Sequence, residues 1–200
     1  MVSLQVVWEG RSGAELADAG ATEARMEQHL VYHGGITGQG VRNVETLLVS
    51  AMREGAERVV LHICSSGGDV NAGVGLYNFI RALPLPVDTH AFGQCASIAA
   101  TIFLAGEQRT TVATSAFSLH AATFVEGPLK GQISPNTALI FLPFKDRIGW
   151  DDELVVRYFT DAEEKQILPH QALELRIATG VRDLSFPADP RCIVNVAVPA

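Results

Sequence analysis

The sequence predicts an α/β fold with a mainly parallel sheet. Short runs rich in β-branched residues, such as residues 58–64, have the composition of buried parallel strands. They alternate with segments whose apolar residues recur at helical spacing, and glycine or proline separates the two kinds of segment. Alternating strands and helices imply right-handed crossovers, so the carboxyl ends of the strands meet at one edge of the sheet, where sites form.

The predicted elements follow one another closely along the chain. Val41, Val44 and Leu48 mark the apolar face of the first helix, which Gly55 ends, and Pro84 ends the second helix. In chain order the prediction comprises a strand at 29–33, a helix at 41–52, a strand at 58–64, a tight turn at 65–68, a helix from about 70, a strand at 87–92, an apolar helix at 98–105, strands at 110–113 and 116–119, a helix at 169–177 and a final strand at 192–198.

Length and local composition indicate one folded domain. A chain of 200 residues is long enough to bury a real core. Residues 9–28 are rich in Gly, Ala and Glu and show little periodicity. We therefore expect residues 1–28 to form an N-terminal arm, mobile or ordered by a partner, and residues 29–200 to form a single domain.

Charge and cysteine content narrow the class of protein. The 15 Lys and Arg against 22 Asp and Glu give a net charge of -7 with no basic stripe, which disfavours nucleic acid and anionic membranes as partners. Cys64, Cys95 and Cys192 lack C-x-x-C spacing, which favours neither a disulfide framework nor a zinc site. The N-terminus lacks a secretion signal, and the apolar run 98–105 is too short to span a bilayer. We expect a cytoplasmic protein.

Ser97 and His120 are the candidate nucleophile and base. Ser97 follows a predicted strand through a turn of small residues and opens an apolar helix, while His120 ends another predicted strand. A sharp turn of this kind leaves a serine exposed above the strand ends. Because a serine hydroxyl is a poor nucleophile near neutral pH, it needs a neutral imidazole to take its proton as it attacks a carbonyl.

The same edge offers backbone N–H groups for a developing oxyanion. Gly67 and Gly68 form a tight turn after the 58–64 strand, and without a Cβ they let a substrate backbone lie against that turn. We expect the amides of Gly68 and Ile98 to be the oxyanion donors.

Each feature has a simpler structural explanation when it is taken alone. A serine before a helix is most often an N-cap, a histidine at a strand end is usually a hydrogen-bonded structural residue, and two glycines usually make only a turn. The combination of the three motifs favours catalysis.

From about Leu30 to His120 the chain resembles the ClpP family, the proteolytic subunits of the Clp protease. Residues 63–70 resemble the strand, glycine turn and helix start of that family. Residues 93–100 resemble its nucleophile segment, with Ser97 in the nucleophile position, and residues 115–120 resemble the approach to its catalytic histidine. The resemblance implies a ClpP/crotonase-like spiral of β-β-α units and a self-compartmentalised serine peptidase.

The chain departs from the family pattern at several positions. Ser66 stands where proline is common, Ala99 where glycine is usual, and Ala121 and Ala122 follow His120 in place of glutamine and proline. These differences indicate a divergent member that keeps Ser97 and His120.

The third catalytic group has several candidates. In the family, an aspartate just before a late helix orients the histidine. One register places Glu164 at that position, with Asp161 one helical turn earlier, and it also places the apolar residues of the late helix well. A second register places Arg157 there and leaves the acid to Asp151 or Asp152. We favour Glu164 over the other carboxylates. The alternative interpretation is that this acidic stretch is only a solvated turn.

Oligomer contacts are expected to differ from the family pattern. Between His120 and Trp150 the family has a long handle helix through which two rings dock, but proline inside a helix costs about 3 kcal/mol. Glycines and prolines interrupt this stretch at Gly127, Pro128, Gly131, Pro135 and Pro143. Any handle helix is therefore short or broken. We expect a homo-oligomeric ring, without predicting whether two rings dock. The apolar run 138–144 packs either within its own domain or against a neighbour.

The primary hypothesis is a peptidase that cleaves peptides or unfolded protein without a cofactor or a metal. The resemblance implies an AAA+ unfoldase as partner for protein substrates. Two alternatives are a crotonase-like acyl-CoA hydratase or isomerase and a catalytically degenerate ClpP-like scaffold. His62, Cys64 and Cys95 suggest a metal site, but no fourth ligand has suitable spacing, and a buried histidine with small apolar cysteines is the favoured interpretation.

Overall fold

The computed structural model describes residues 26–196. Strands and helices alternate through the first half of this range, which confirms the α/β prediction. The elements are β1 (Glu27–His33), α1 (Gly38–Arg53), β2 (Arg58–Ser65), α2 (Val70–Ala82), β3 (Val87–Ala96) and α3 (Ile98–Phe103). β1 begins two residues before the expected domain start, and the rest of the expected arm, residues 1–25, lies outside the described residues.

The second half is built from shorter elements. They are β4 (Arg109–Thr111), β5 (Ala116–Leu119), α4 (Thr137–Ile148), α5 (Asp152–Phe159), β6 (Lys165–Ile167), α6 (Pro169–Glu174), β7 (Gly180–Val181), a 3₁₀ turn (Pro190–Cys192) and β8 (Ile193–Val196). The sequence patterns did not predict α5, β6 or β7. β6 and β7 are too short to show alternation, because their partners in the sheet, and not their own composition, define them.

The described strands form one sheet in the order β6-β5-β3-β2-β1-β8. β3 is long enough to pair twice: its residues 89–91 lie beside β4, and residues 94–96 lie beside β5. Every pairing is parallel except that of β5 with β6. The mainly parallel prediction is therefore confirmed. β8 confirms the expected final strand and pairs with β1 at the edge of the sheet; residues 197 and 198 of that prediction lie outside the described range.

Local sequence explains where the two long helices start. The Thr37 side chain accepts a hydrogen bond from the Gly40 amide at the start of α1, and the Asp69 side chain accepts one from the Ala72 amide at the start of α2. Both contacts satisfy an N–H group that has no partner inside its helix. As predicted, α1 buries one apolar face, and Gly55, with φ +82°, follows its end.

α3 lies at the centre of the core. All six of its residues are buried, in agreement with the prediction of an apolar helix, and Phe103 packs on Phe117 of β5 with ring centroids 5.0 Å apart. Because this short helix is enclosed on every side, the backbone at its N-terminus, where Ser97 lies, is firmly held.

The segment expected to replace a long handle is a loop followed by a short helix. Residues 121–136 contain an antiparallel bridge between Thr123 and Ile133, and the 12-residue α4 then carries Pro143 within it. Part of the apolar run packs within its own domain, as one of the two predictions had it, and contact of the run with a neighbour stays a prediction. Ile140 and Phe144 are buried in the core, whereas Leu142 is 43% exposed.

None of the helices formed by residues 26–196 has the length and apolar character needed to cross a membrane.

Gly73 permits the close approach of α2 to α3. A Cβ added there would lie 2.3 Å from Ile98 Cγ1, which is well inside van der Waals contact. Gly75, two residues further on and exposed, has no atom within 4 Å of its added Cβ. The two glycines of one helix therefore have different reasons to be glycine.

Gly73→Ala should lower the free energy of unfolding by about 1–3 kcal/mol, because the buried helix pair must separate. Gly75→Ala is the matched control and should raise it by about 0.5–1 kcal/mol, since it removes a flexible residue from a helix. Urea unfolding of both variants tests this; equal effects would contradict the packing explanation.

Candidate active site

Ser97 lies on a strained turn between β3 and α3. Its φ of 53° and ψ of -128° are rare for a residue with a Cβ, and its amide donates a 2.7 Å hydrogen bond to the Ser118 carbonyl of β5. Although Ser97 is in the N-cap position of α3, its side chain makes no capping hydrogen bond. The Ser97 hydroxyl therefore does not cap the helix, and the strand-to-helix turn has the form that mounts nucleophilic serines.

The glycine turn lies directly against this serine. Gly67 and Gly68 have φ values of +96° and +148°, and a Cβ at Gly67 would lie 2.9 Å from the Ser97 Cβ. Ile36 holds the turn from the other side: its amide donates to the Gly67 carbonyl, and its carbonyl accepts from the Asp69 amide, both at 2.8 Å. The turn thus needs glycine both for its dihedral angles and for its contact with Ser97.

Two backbone amides at this turn are free for a ligand. Within residues 26–196, neither the Gly68 amide nor the Ile98 amide donates a backbone hydrogen bond. Ile98 is the first residue of α3, so its N–H has no partner inside the helix. These are the two groups that the sequence predicts as oxyanion donors.

His120 follows β5, the strand beside the end of β3. Ala96 pairs with Ser118 in the parallel ladder, so Ser97 and His120 come directly after neighbouring strand ends. The His120 Nδ1–H donates to the Ala121 carbonyl at 2.8 Å. In a neutral imidazole this leaves the lone pair on Nε2, the form that a general base requires. Among the described residues, no hydrogen bond joins the Ser97 hydroxyl to this ring.

Glu164 and His120 lie just beyond the last residue pair of the β5–β6 ladder. The last antiparallel pair of β5 with β6 is Leu119 with Lys165. His120 directly follows Leu119 in the sequence, and Glu164 directly precedes Lys165. The Glu164 Oε2 accepts a 3.1 Å hydrogen bond from the Ser118 hydroxyl. The hydrogen bond therefore ties Glu164 to the residue two positions before His120.

The other three carboxylates have partners elsewhere. Asp151 caps α5 through the Leu154 amide at 2.9 Å. Asp152 and Asp161 form ion pairs at 2.5 Å with Lys145 and Lys165, and the hydrogen bond from each lysine lowers the pKa of its carboxyl. The stretch around Asp161 is exposed, but it is not only a solvated turn, because the Asp161 carbonyl accepts from the Ala121 amide at 2.7 Å.

Ser118 is a site residue that the sequence reasoning missed. Its carbonyl holds the Ser97 amide, and its hydroxyl holds Glu164. The signal that could have found it is alternation: a polar residue two positions before His120, between buried Phe117 and Leu119, points to the same side as the histidine.

Three histidines form a row on adjacent strands away from this site. The His29 Nε2–H donates to Glu27 at 2.9 Å, and a 2.8 Å hydrogen bond joins His29 Nδ1 to His62 Nε2. His90 stands next in the row, with its ring centroid 5.3 Å from that of His62. Burial, reinforced by the neighbouring His29 and His90, lowers the pKa of His62 to about 3. His62 is thus a buried, neutral, hydrogen-bonded residue, as the favoured interpretation predicts.

The described residues contain no group of three His, Cys, Asp or Glu side chains suited to holding a metal ion. Cys95 is fully buried, and burial raises the pKa of its thiol, so it is an apolar core residue. Cys64 is half-buried and lies against Gly93, where an added Cβ would be 2.7 Å from its Sγ. In the structure, His62 is thus a hydrogen-bonded side chain, and Cys64 and Cys95 are packed side chains.

The fold and this site together define a class: an α/β protein whose serine, histidine and free amides gather at the carboxyl ends of parallel strands. Comparison with known proteins narrows the class. The family model for Clp protease matches residues 16–134, more than half of the chain, and the chain therefore belongs to the Clp protease family. The match includes the glycine turn, Ser97 and His120, and it ends before Glu164.

Individual relatives agree with the family. The chain is 30% identical over 84 residues to the ATP-dependent Clp protease proteolytic subunit of Carsonella ruddii, covering 42% of this chain and 43% of that protein. It is 29% identical over 111 residues to the protein of the same name from Pleurastrum terricola, covering 54% and 55%. The chain thus spans about half the length of these curated relatives.

A solved structure shows the same fold. A mutant of ClpP1 from Listeria monocytogenes superposes with a TM-score of 0.69 at 18% identity, covering 78% of this chain and 92% of the other. The ClpP/crotonase-like fold class expected from the sequence is confirmed.

The strain at Ser97 has a measurable consequence. Ser97→Gly should be more stable to unfolding than Ser97→Ala by about 1 kcal/mol, because both variants lose the hydroxyl but only alanine keeps a Cβ in the unfavourable backbone region. At Ser50, inside α1, the order should reverse, since glycine is about 1 kcal/mol worse than alanine in a helix. Chemical denaturation of the four variants decides; the same order at both positions would contradict strain.

Proposed function

We propose that this protein is a ClpP-like serine peptidase. Ser97 attacks the scissile carbonyl, His120 takes its proton and later passes it to the leaving amine, and the amides of Gly68 and Ile98 stabilise the oxyanion. Glu164 orients His120 and stabilises its charged form. Gly67 lets the peptide backbone lie along the turn. No cofactor takes part in these steps.

One observation carries the proposal: Ser97 is held in a strained backbone conformation beside two amides that donate no backbone hydrogen bond in the described structure. Strain of this kind costs free energy and persists only where the surroundings enforce it. Here the buried α3 on one side and the Ser118 carbonyl on the other enforce it. A purely structural turn at this point would use glycine or a capping serine.

His120 requires a small rearrangement before it can act. Its Nδ1–H contact with the Ala121 carbonyl sets the tautomer, and the free Nε2 must come within hydrogen-bond reach of the Ser97 hydroxyl when substrate binds. Hydrogen bonds between catalytic groups often tighten only in the complex with substrate. Turning Nδ1 from the Ala121 carbonyl towards the Glu164 carboxylate would exchange a neutral acceptor for a charged one as the imidazolium forms.

The assembly and the partners are part of the same proposal. Apolar side chains remain exposed on the helices after the site: Leu142 on α4 is 43% exposed and Val156 on α5 is 62% exposed. Contacts between copies in a homo-oligomeric ring would bury them. Two relatives are named ATP-dependent Clp protease proteolytic subunits. By extension we propose that this chain cleaves peptides in the cytoplasm, and also cleaves proteins that a separate AAA+ partner has unfolded.

A second candidate is a degenerate ClpP-like subunit with a structural role. It is favoured by the absence, within residues 26–196, of hydrogen bonds from Ser97 to His120 and from His120 to a carboxylate. The acyl-CoA alternative is opposed by membership of the Clp protease family.

Labelling with a fluorophosphonate separates the two candidates. The peptidase proposal expects covalent modification of the wild-type chain, loss of modification in Ser97→Ala and strong slowing in His120→Ala, because the hydroxyl needs its base. Intact-mass spectrometry measures the adduct. No labelling of the folded wild type, or labelling that persists in Ser97→Ala, would exclude the mechanism.

The identity of the acid can be tested by neutralising one carboxylate at a time. Glu164→Gln should reduce peptide hydrolysis about 100-fold or more, because the imidazolium loses its charged partner. Asp161→Asn, Asp151→Asn and Asp152→Asn are matched controls, each removing a carboxylate that is occupied elsewhere, and each should retain activity within about threefold. A large loss in one of the three with a normal Glu164→Gln would reassign the acid.

A further inference from the structure

We infer that Ser118 is a positioning residue that holds the Glu164 carboxylate ready for His120. This inference rests on the proposed peptidase function and adds to it a residue that connects the nucleophile and the acid. Its basis is geometric: one residue makes a backbone contact with Ser97 and a side-chain contact with Glu164.

Ser118 occupies the centre of three paired strands. It lies opposite Ala96 in the parallel ladder with β3 and opposite Gln166 in the antiparallel ladder with β6. Ser118 is only 6% exposed, and strand pairing on both sides fixes its backbone. A hydroxyl at this position is therefore held by a rigid backbone, unlike a hydroxyl on a loop.

Glu164 needs such a contact. It lies in an exposed position just before β6, and a glutamate side chain has several rotatable bonds whose freedom must be lost to hold the carboxylate in one place. The Ser118 hydroxyl donates to Oε2 at 3.1 Å and so restrains it. Among the described residues, this is the hydrogen bond that directs the Glu164 side chain towards the strand of His120.

The contact leaves the carboxylate able to act. A carboxylate has two oxygens, each with two acceptor positions, so donation from Ser118 to Oε2 leaves Oε1 free to accept from the His120 ring. Ser118 therefore does not compete with the histidine. It selects, from the positions open to Glu164, those on the correct strand face.

The test is a double-mutant cycle between Ser118→Ala and Glu164→Gln, with kcat and KM measured separately on a fluorogenic peptide. Ser118→Ala alone should lower kcat roughly 5- to 30-fold, the effect of one hydrogen bond to a charged group, and leave KM within about twofold. In the Glu164→Gln background the same change should lower kcat less than twofold, because no charged group remains to be positioned. Ser118→Thr keeps the hydroxyl and should restore most of the rate.

Ser134→Ala is the control for loss of a buried serine hydroxyl. Ser134 is 7% exposed and accepts from the Asn136 amide without contacting Glu164, so its removal should leave kcat unchanged. Losses that multiply in the double variant, a change confined to KM, or an unaffected Ser118→Ala would each overturn the role of Ser118 while leaving the peptidase in place. A wild-type chain that neither cleaves peptide nor accepts fluorophosphonate at Ser97 would overturn the proposed function and the role of Ser118 together.

Discussion

The hydrogen bond from the Ser97 amide to the Ser118 carbonyl is the contact on which the site depends. It ends the parallel ladder between β3 and β5 and holds the start of α3 against the strand that leads to His120. Together with the buried α3, it holds Ser97 at a φ of 53°. This short stretch of strand pairing thereby brings Ser97 and Ser118, which are separated in the sequence, together at one edge of the sheet.

Close approach of backbones is the second constraint. Gly67 contacts Ser97, Gly68 contacts Ile36, and Gly73 contacts Ile98, each at a distance that a Cβ would not allow. Together they bring the glycine turn, the serine and α3 into one layer. Within residues 26–196 the amides of Gly68 and Ile98 donate no backbone hydrogen bond, and for Ile98 this follows from its place in the first turn of α3.

The part of the chain beyond the family match carries the candidate acid. The match ends at residue 134, and both Glu164 and the helices that carry exposed apolar residues lie beyond it. The Ala121 carbonyl takes the Nδ1–H contact of His120 in this structure, while Glu164 is tied to Ser118. The proposed chemistry therefore requires both His120 and Glu164 to change hydrogen-bond partners.

The sequence by itself determined the alternation of strands and helices, the mainly parallel sheet, and the candidate residues of the glycine turn, Ser97 and His120. These follow from local patterns: periodicity, β-branched runs, and small residues at turns. Ser118 was within reach of the same reasoning through strand alternation, but a single serine in a strand carries no signal of its partner.

Only the tertiary structure decided that the Glu164 carboxylate accepts a hydrogen bond from Ser118, that Ser97 is strained and makes no capping hydrogen bond, and where β6 and β7 form. Glu164 comes beside Ser118 because β6 pairs with β5, and a three-residue strand acquires its conformation from its neighbour. The physical reason is that hydrogen-bond registers and backbone dihedral angles are set by contacts between segments far apart in the chain, and no local pattern in residues encodes them.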